Sequence, residues 1–123
     1  MTRRVLIAED DAPILEILRY KLDTEGFDVV AAEDGDECWE HLQSTDEPPE
    51  ALLLDIMMPG LDGFTVLKRL RNDERYADIV VIMVTGRGLE EDVLRGFELG
   101  ADDYVMKPFN PSEIVVRLER LLR

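Results

Sequence analysis

The sequence predicts an α/β domain, a doubly wound five-stranded parallel sheet with helices on both faces. Short apolar runs alternate, five times along the chain, with stretches whose apolar residues recur at helical spacing. The runs are closed by polar or turn residues and separated by segments of helical length, which favours parallel pairing through right-handed crossovers. The run Ala51-Leu52-Leu53-Leu54-Asp55, followed by Ile56-Met57-Met58-Pro59-Gly60, reads as a strand buried on both faces and ending in one carboxylate. In open α/β sheets the ligand crevice lies at the carboxyl ends of the strands, so Asp55 is the first candidate for a reactive residue.

Residues 4–8 are the first strand, closed by Glu9-Asp10-Asp11. Pro13 suits the first turn of a helix whose inward stripe is predicted as Ile14, Ile17, Leu18 and Leu22, with Gly26 at its end. Residues 27–31 form the second strand and 34–43 the second helix, with Cys38 and Leu42 on one face; 44–50, with two prolines, is a surface connection. The third strand is the run ending in Asp55. Asp62 is predicted to cap a third helix carrying Phe64, Leu67 and Leu70. The β-branched run 79–84 is a central strand, 85–88 a loop, and 90–99 a helix with acids at its start and Gly100 after its end. Residues 103–106 are the fifth strand, ended by Lys107-Pro108, and 111–122 the last helix, with Ile114, Val115, Leu118 and Leu121 inward.

A chain of 123 residues accommodates one core, so residues 1–123 are read as one domain. An apolar content of 46% places the net charge of −14 on a folded surface. That charge argues against nucleic acid or an anionic membrane as direct partner and suits a basic protein, a divalent cation or a salty cytoplasm. Met1-Thr2-Arg3-Arg4 does not open a signal peptide, no run approaches membrane-spanning length, and the lone Cys38 fits a reducing compartment; the expected location is cytoplasmic. The chain stops where its last helix stops, which fits a stand-alone domain and equally a domain cut at a boundary.

Glu9 and Asp10 follow strand one, Asp55 ends strand three, Thr85 ends strand four and Lys107 ends strand five. In a parallel sheet these ends share one edge. Gathered carboxylates repel and raise one another's pKa values, and a hard divalent cation such as Mg²⁺ removes that conflict. A lysine and a hydroxyl beside the site point to a phosphoryl group, with Asp55 as nucleophile forming an acyl phosphate. Taken singly, the acids suit a solvated helix N-terminus, Thr85 a strand end and Lys107 a surface lysine. Their placement on successive strand ends favours the chemistry.

The segments Val5-Leu6-Ile7-Ala8-Glu9-Asp10-Asp11, Leu53-Leu54-Asp55-Ile56-Met57-Met58-Pro59-Gly60-Leu61-Asp62-Gly63, Val84-Thr85 and Gly100-Ala101-Asp102-Asp103-Tyr104-Val105-Met106-Lys107-Pro108-Phe109 resemble the receiver domains of two-component response regulators. The resemblance implies a flavodoxin-like fold with strand order 2-1-3-4-5. It implies that Asp55 accepts a phosphoryl group from a sensor histidine kinase in a Mg²⁺-dependent reaction. Asp10, Asp55 and the Met57 carbonyl would ligate Mg²⁺, with Glu9 acting largely through metal-bound water. Lys107 would hold a phosphoryl oxygen, Thr85 and Tyr104 would form the switch, and the Lys107-Pro108 bond would be cis. Met57 and Arg87, two residues after Asp55 and Thr85, are placed to flank the pocket entrance and hinder hydrolytic water.

The face built from the fourth helix, fifth strand and fifth helix is the expected output surface, toward an effector domain, a downstream protein or a second copy on phosphorylation. Asp102, Asp103, Glu113 and Arg117 are candidates for cross-subunit ion pairs. The wording is closest to the winged-helix transcription-factor branch, although Val93 stands where that branch usually has a basic residue. The domain is read as a phosphoacceptor switch, not an enzyme beyond gaining and losing one phosphoryl group. The alternative, a Mg²⁺-dependent aspartate-nucleophile phosphatase, resembles an Asp-x-Asp pattern, and Met57 occupies its second position.

Overall fold

The computed structural model describes residues 3–123; Met1 and Thr2, part of the segment read as lacking a signal, lie outside the described residues. In chain order the elements are β1 (Arg4–Ala8), α1 (Ala12–Thr24), β2 (Asp28–Ala32), α2 (Gly35–Ser44), β3 (Ala51–Leu54), α3 (Gly63–Arg71), β4 (Val80–Thr85), α4 (Glu90–Glu98), β5 (Asp103–Met106) and α5 (Pro111–Leu121). The strands form one sheet in the order β2-β1-β3-β4-β5, every pair parallel. The predicted architecture is therefore the observed one.

The side-chain alternation of the strands builds two cores. Leu6, Leu52, Leu54, Val81 and Met83 face α2 and α3, joining Cys38, Leu42, Phe64, Leu67 and Leu70. Val5, Ile7, Leu53, Ile82 and Val84 face α1 and α5, joining Leu15, Leu18, Leu22, Ile114 and Leu118. Covered on both sides, β3 is apolar at every position. Leu52, Leu53 and Leu54 are each at most 1% exposed and contribute roughly 2 kcal/mol apiece by burial. This greasy centre carries Asp55 and fixes its position.

The structure moves several predicted boundaries. β2 begins at Asp28, which pairs with Arg4, because the Phe27 N–H is spent on the Leu22 carbonyl in the turn around Gly26. The Phe27 ring still reaches the core. β4 runs one residue later than expected: the Ile79 N–H bonds the Tyr76 carbonyl and its own carbonyl accepts from Arg71, whereas Thr85 pairs with Met106. Ile17 is a correction, being half exposed, while Leu15 takes the inward position beside Leu18 and Leu22. The two candidates fit the same three-and-four spacing, and packing against the sheet decides between them. A single turn of 3-10 helix, Glu74–Tyr76, was not foreseen; it buries Tyr76, whose hydroxyl donates to the Leu42 carbonyl at 2.9 Å.

The caps place the helices on the strand ends. Asp11, Asp34 and Asp62 each accept a backbone N–H from the first turn of α1, α2 and α3. α4 differs: Leu89 offers no side-chain cap, and the only buried residues of the helix are Asp92 and Gly96. It is the most lightly anchored of the five helices.

Candidate phosphoacceptor site

Strand pairing alone brings the predicted residues together. Ala8 pairs with Leu54, and one step beyond that pair the Asp55 N–H donates to the Ala8 carbonyl at 3.1 Å. Glu9 leaves the same strand end with its N–H on the Ala32 carbonyl at 3.0 Å. Across the sheet, the Lys107 N–H donates to the Thr85 carbonyl at 2.9 Å, so β4 and β5 deliver a hydroxyl and an ammonium to the same edge. The Lys107–Pro108 peptide is cis, as the resemblance implied.

The side chains meet where the backbone aims them. Lys107 Nζ lies 2.7 Å from Asp55 Oδ2 and 2.6 Å from Glu9 Oε1. Carboxylate oxygens of Glu9, Asp10 and Asp55 all fall within 4.8 Å of one another. Glu9 and Asp55 are buried, at 1% and 5% exposure, whereas Asp10 opens to solvent. Asp55 Oδ1 also accepts the Met57 N–H at 3.4 Å, and Glu9 Oε2 accepts the Asp11 N–H at 3.2 Å. The Met57 side chain is exposed and lines a cavity of about 510 Å³ with Asp10, Phe64, Arg87 and Arg95.

The loop after Asp55 is held down by α3. The Gly63 N–H donates to the Ile56 carbonyl at 2.9 Å. A Cβ at Gly63 would stand 2.2 Å from the Asp55 carbonyl oxygen and 2.8 Å from Ile56 Cα. Only a residue without a side chain permits this approach, which explains the glycine at the helix start.

Glu9 and Asp55 share the Lys107 ammonium with Asp10 close by, and the electrostatics show the shortfall. Burial pushes Glu9 up from 4.5 to about 7; the Asp55 charge adds to this, against the opposing pull of Lys107 and the Asp11 N–H. Burial works to lower the Lys107 pKa, but its contacts with Asp55 and Glu9 outweigh that and raise it. Glu9 Oε1 is charge-paired with Lys107, yet among the described residues no donor is aligned to hydrogen-bond it. A buried, under-bonded carboxylate oxygen beside two further carboxylates is the donor set of a hard, oxygen-seeking cation, and Mg²⁺ fits it. Burial pushes the Cys38 thiol up to about 12, so that residue is an inert core group.

Thr85 and Tyr104 are joined through one residue. Thr85 Oγ1 accepts the Arg87 N–H at 3.2 Å, and the Tyr104 hydroxyl donates to the Arg87 carbonyl. Tyr104 is half-buried, its ring lying against Gly96 of α4. The acids proposed for cross-subunit pairing are engaged within the chain. Arg117 bonds Asp103 at 2.7 Å and Glu113 at 2.8 Å, and Asp102 accepts from Arg71 and from the Val81 N–H. One buried charged residue went unnoticed in the sequence: Asp92, paired with Arg87. An acid in the first turn of a helix looks like an ordinary dipole partner, and its only signal is the arginine five positions earlier.

Among the described residues, no helix is long and apolar enough to cross a membrane. The profile of the family described as "Response regulator receiver domain" matches residues 5–119. The phosphate regulon transcriptional regulatory protein PhoB of Escherichia coli (strain K12) is 46% identical over 124 residues, covering 100% of this chain and 53% of that protein. The chain thus spans about half the length of the curated relatives it matches. A CheY-like receiver domain protein from Methanospirillum hungatei superimposes with a TM-score of 0.91 at 30% identity, covering 99% of this chain and 94% of the other. The BeF3-activated receiver domain of DrrB, a Thermotoga maritima OmpR/PhoB homolog, gives 0.89 at 32% identity, covering 99% and 98%. With its five-stranded fold and its acidic strand-end pocket, this chain belongs to the response regulator receiver domains of two-component signalling systems.

Proposed function

We propose that Asp55 is the phosphoacceptor and that the whole of residues 1–123 acts as one phosphorylation-driven switch. The observation that carries this is the meeting of Asp55 with Lys107 at 2.7 Å inside a cluster completed by Glu9 and Asp10. An Asp55 carboxylate oxygen attacks phosphorus of a phosphohistidine on a sensor kinase. The O–P bond forms, the P–N bond breaks, and the leaving imidazole takes up a proton. Lys107, already on the carboxylate, holds the transferred group as negative charge spreads over its oxygens. Asp10, Asp55 and the Met57 carbonyl would hold Mg²⁺, with Glu9 supporting the ion from beside them. When bound, the ion neutralises charge on the attacking and transferred oxygens.

The output follows from the links already described. A phosphoryl group on Asp55 offers the Thr85 hydroxyl a charged acceptor in place of its present role toward the Arg87 N–H. Movement of Thr85 and that loop vacates a space into which the Tyr104 ring, now lying against Gly96, turns. The face of α4, β5 and α5 carries exposed Leu94, Phe97, Met106 and Val116. Such a face suits an effector domain, a downstream protein or a second copy of the chain in the phosphorylated state. The phosphoryl group acts by favouring one of two shapes that partners distinguish. The proposed setting is the cytoplasm, where the kinase presents its phosphohistidine.

The test is incubation with Mg²⁺ and acetyl phosphate, followed by intact mass. Wild type gains one phosphoryl group and Asp55→Asn gains none; equal gain by both, or none by either, overturns the reading. Sedimentation with and without beryllofluoride then decides the dimer.

A further inference from the structure

Among the described residues, the buried polar and charged ones are Glu9, Asp55, Thr85 and Asp92. The first three form the pocket, and Asp92, in the first turn of α4, does not. Its carboxylate is held by one side chain: Arg87 Nη2 donates to Oδ1 at 3.1 Å and Nε to Oδ2 at 3.3 Å. A buried carboxylate is costly without a partner, and a guanidinium stays charged at any relevant pH, so the pair fixes the arginine's direction. Arg87 is thereby fastened at three points, by Thr85 at its N–H, by Tyr104 at its carbonyl and by Asp92 at its guanidinium. Arg87 lines the same cavity as Asp10, which clusters with Asp55, and as Ile56 and Met57, which follow Asp55 in the chain.

We propose that Asp92 is a positioning residue for phosphoryl lifetime: it clamps the Arg87 guanidinium across the pocket mouth, where the arginine hinders hydrolytic water. This deepens, and rests on, the assignment of Asp55 as phosphoacceptor. In the step being slowed, the water oxygen bonds to phosphorus and the Asp55 O–P bond breaks. The carboxylate leaves with the electron pair, and both water protons end on inorganic phosphate. Released from Asp92, the long arginine side chain regains its rotamers and spends most of its time in solvent, which opens the mouth. The clamp also ties the β4–α4 loop to α4, so one side chain serves both the pocket and the lightly anchored helix.

The experiment compares wild type, Asp92→Asn, Arg87→Ala and the double variant, each phosphorylated with acetyl phosphate and then freed of donor. Asp92→Asn and Arg87→Ala each lose the phosphoryl group about fivefold faster than wild type, a barrier change well within reach of one displaced side chain. The double variant decays no faster than Arg87→Ala alone. An unchanged lifetime in Asp92→Asn, or an equally large effect of that substitution in the Arg87→Ala background, overturns the proposal. The guanidinium is followed separately by NMR on unphosphorylated protein. The Arg87 Nε–H signal is protected from exchange in wild type and unprotected in Asp92→Asn; an unprotected wild-type signal also overturns the clamp. If wild type takes up no phosphoryl group, the assignment of Asp55 fails, and the NMR comparison alone decides whether the clamp exists.

Discussion

Replacing Glu9 by Gln tests the electrostatic account of the pocket without any phosphodonor. In the folded protein, burial and the Asp55 charge raise Glu9 from 4.5 to about 7. A carboxyl with a raised folded-state pKa contributes stability that is fully present below the unfolded value and lost as pH climbs through the folded value. The window therefore runs from pH 4.5 to about 7. The difference corresponds to about 3 kcal/mol, at roughly 1.4 kcal/mol per pH unit. Glutamine keeps the size and cannot ionise. Urea unfolding followed by Trp39 fluorescence, in chelator and without divalent ions, gives the stability of both proteins from pH 4 to 8.5. Wild-type stability minus that of Glu9→Gln is expected to fall by about 3 kcal/mol across the window. A difference that stays flat, or rises with pH, refutes the reasoning, because Glu9 would then not be a buried acid short of positive charge.

Other perturbations follow from the same geometry. Lys107→Gln removes the ammonium that lies between Glu9 and Asp55; it is expected to cost about 3 kcal/mol at pH 8 and less at pH 5, where Glu9 takes a proton, measured by the same urea series. Added Mg²⁺ at pH 8 is expected to raise the unfolding midpoint of wild type, and to raise that of Asp10→Asn much less, because one carboxylate of the cluster is gone. Gly63→Ala drives a Cβ into the Asp55 carbonyl and is expected to cost about 3 kcal/mol while slowing phosphorylation, because the acceptor itself shifts. Tyr76→Phe removes the buried bond to the Leu42 carbonyl and is expected to cost about 1–2 kcal/mol with phosphorylation unchanged.

Most of the candidate site was legible because its residues stand on strand ends. Asp55, Thr85 and Lys107 each terminate an apolar run, and in a parallel sheet such ends cannot avoid sharing an edge. The acids after β1 and the greasy run before Asp55 were visible for the same reason. What escaped reading depends on choices that local pattern does not make. Leu15 and Ile17 both fit the helical stripe of α1, and packing against the sheet puts Leu15 inward. Ile79 looked like a strand residue and is one in composition, but Arg71 and Tyr76 capture its polar groups first. Asp92 was hidden among the acids of α4 because burial, which separates it from Glu90 and Glu91, is a property of packing.

The fold also accounts for where rigidity and movement lie. Asp55 hangs from the middle of the sheet, held by Ala8 on one side and by the Gly63 contact below. The β4–α4 loop is held through Arg87 by one bond each at Thr85 and Tyr104 and a two-bond ion pair with Asp92, and the helix beyond it buries little. A local charge at Asp55 therefore meets a stiff acceptor and a yielding neighbour, the arrangement a switch needs.

Borohydride trapping puts the decisive question to the acidic pocket itself. After treatment with Mg²⁺ and acetyl phosphate, reduction converts an aspartyl phosphate to homoserine, and fragment mass spectrometry locates the altered residue. Homoserine at position 55 and nowhere else is the expected result. Homoserine at Asp10 or at another acid, with Asp55 intact, would contradict the claim that the strand ends converge to make this one carboxylate reactive.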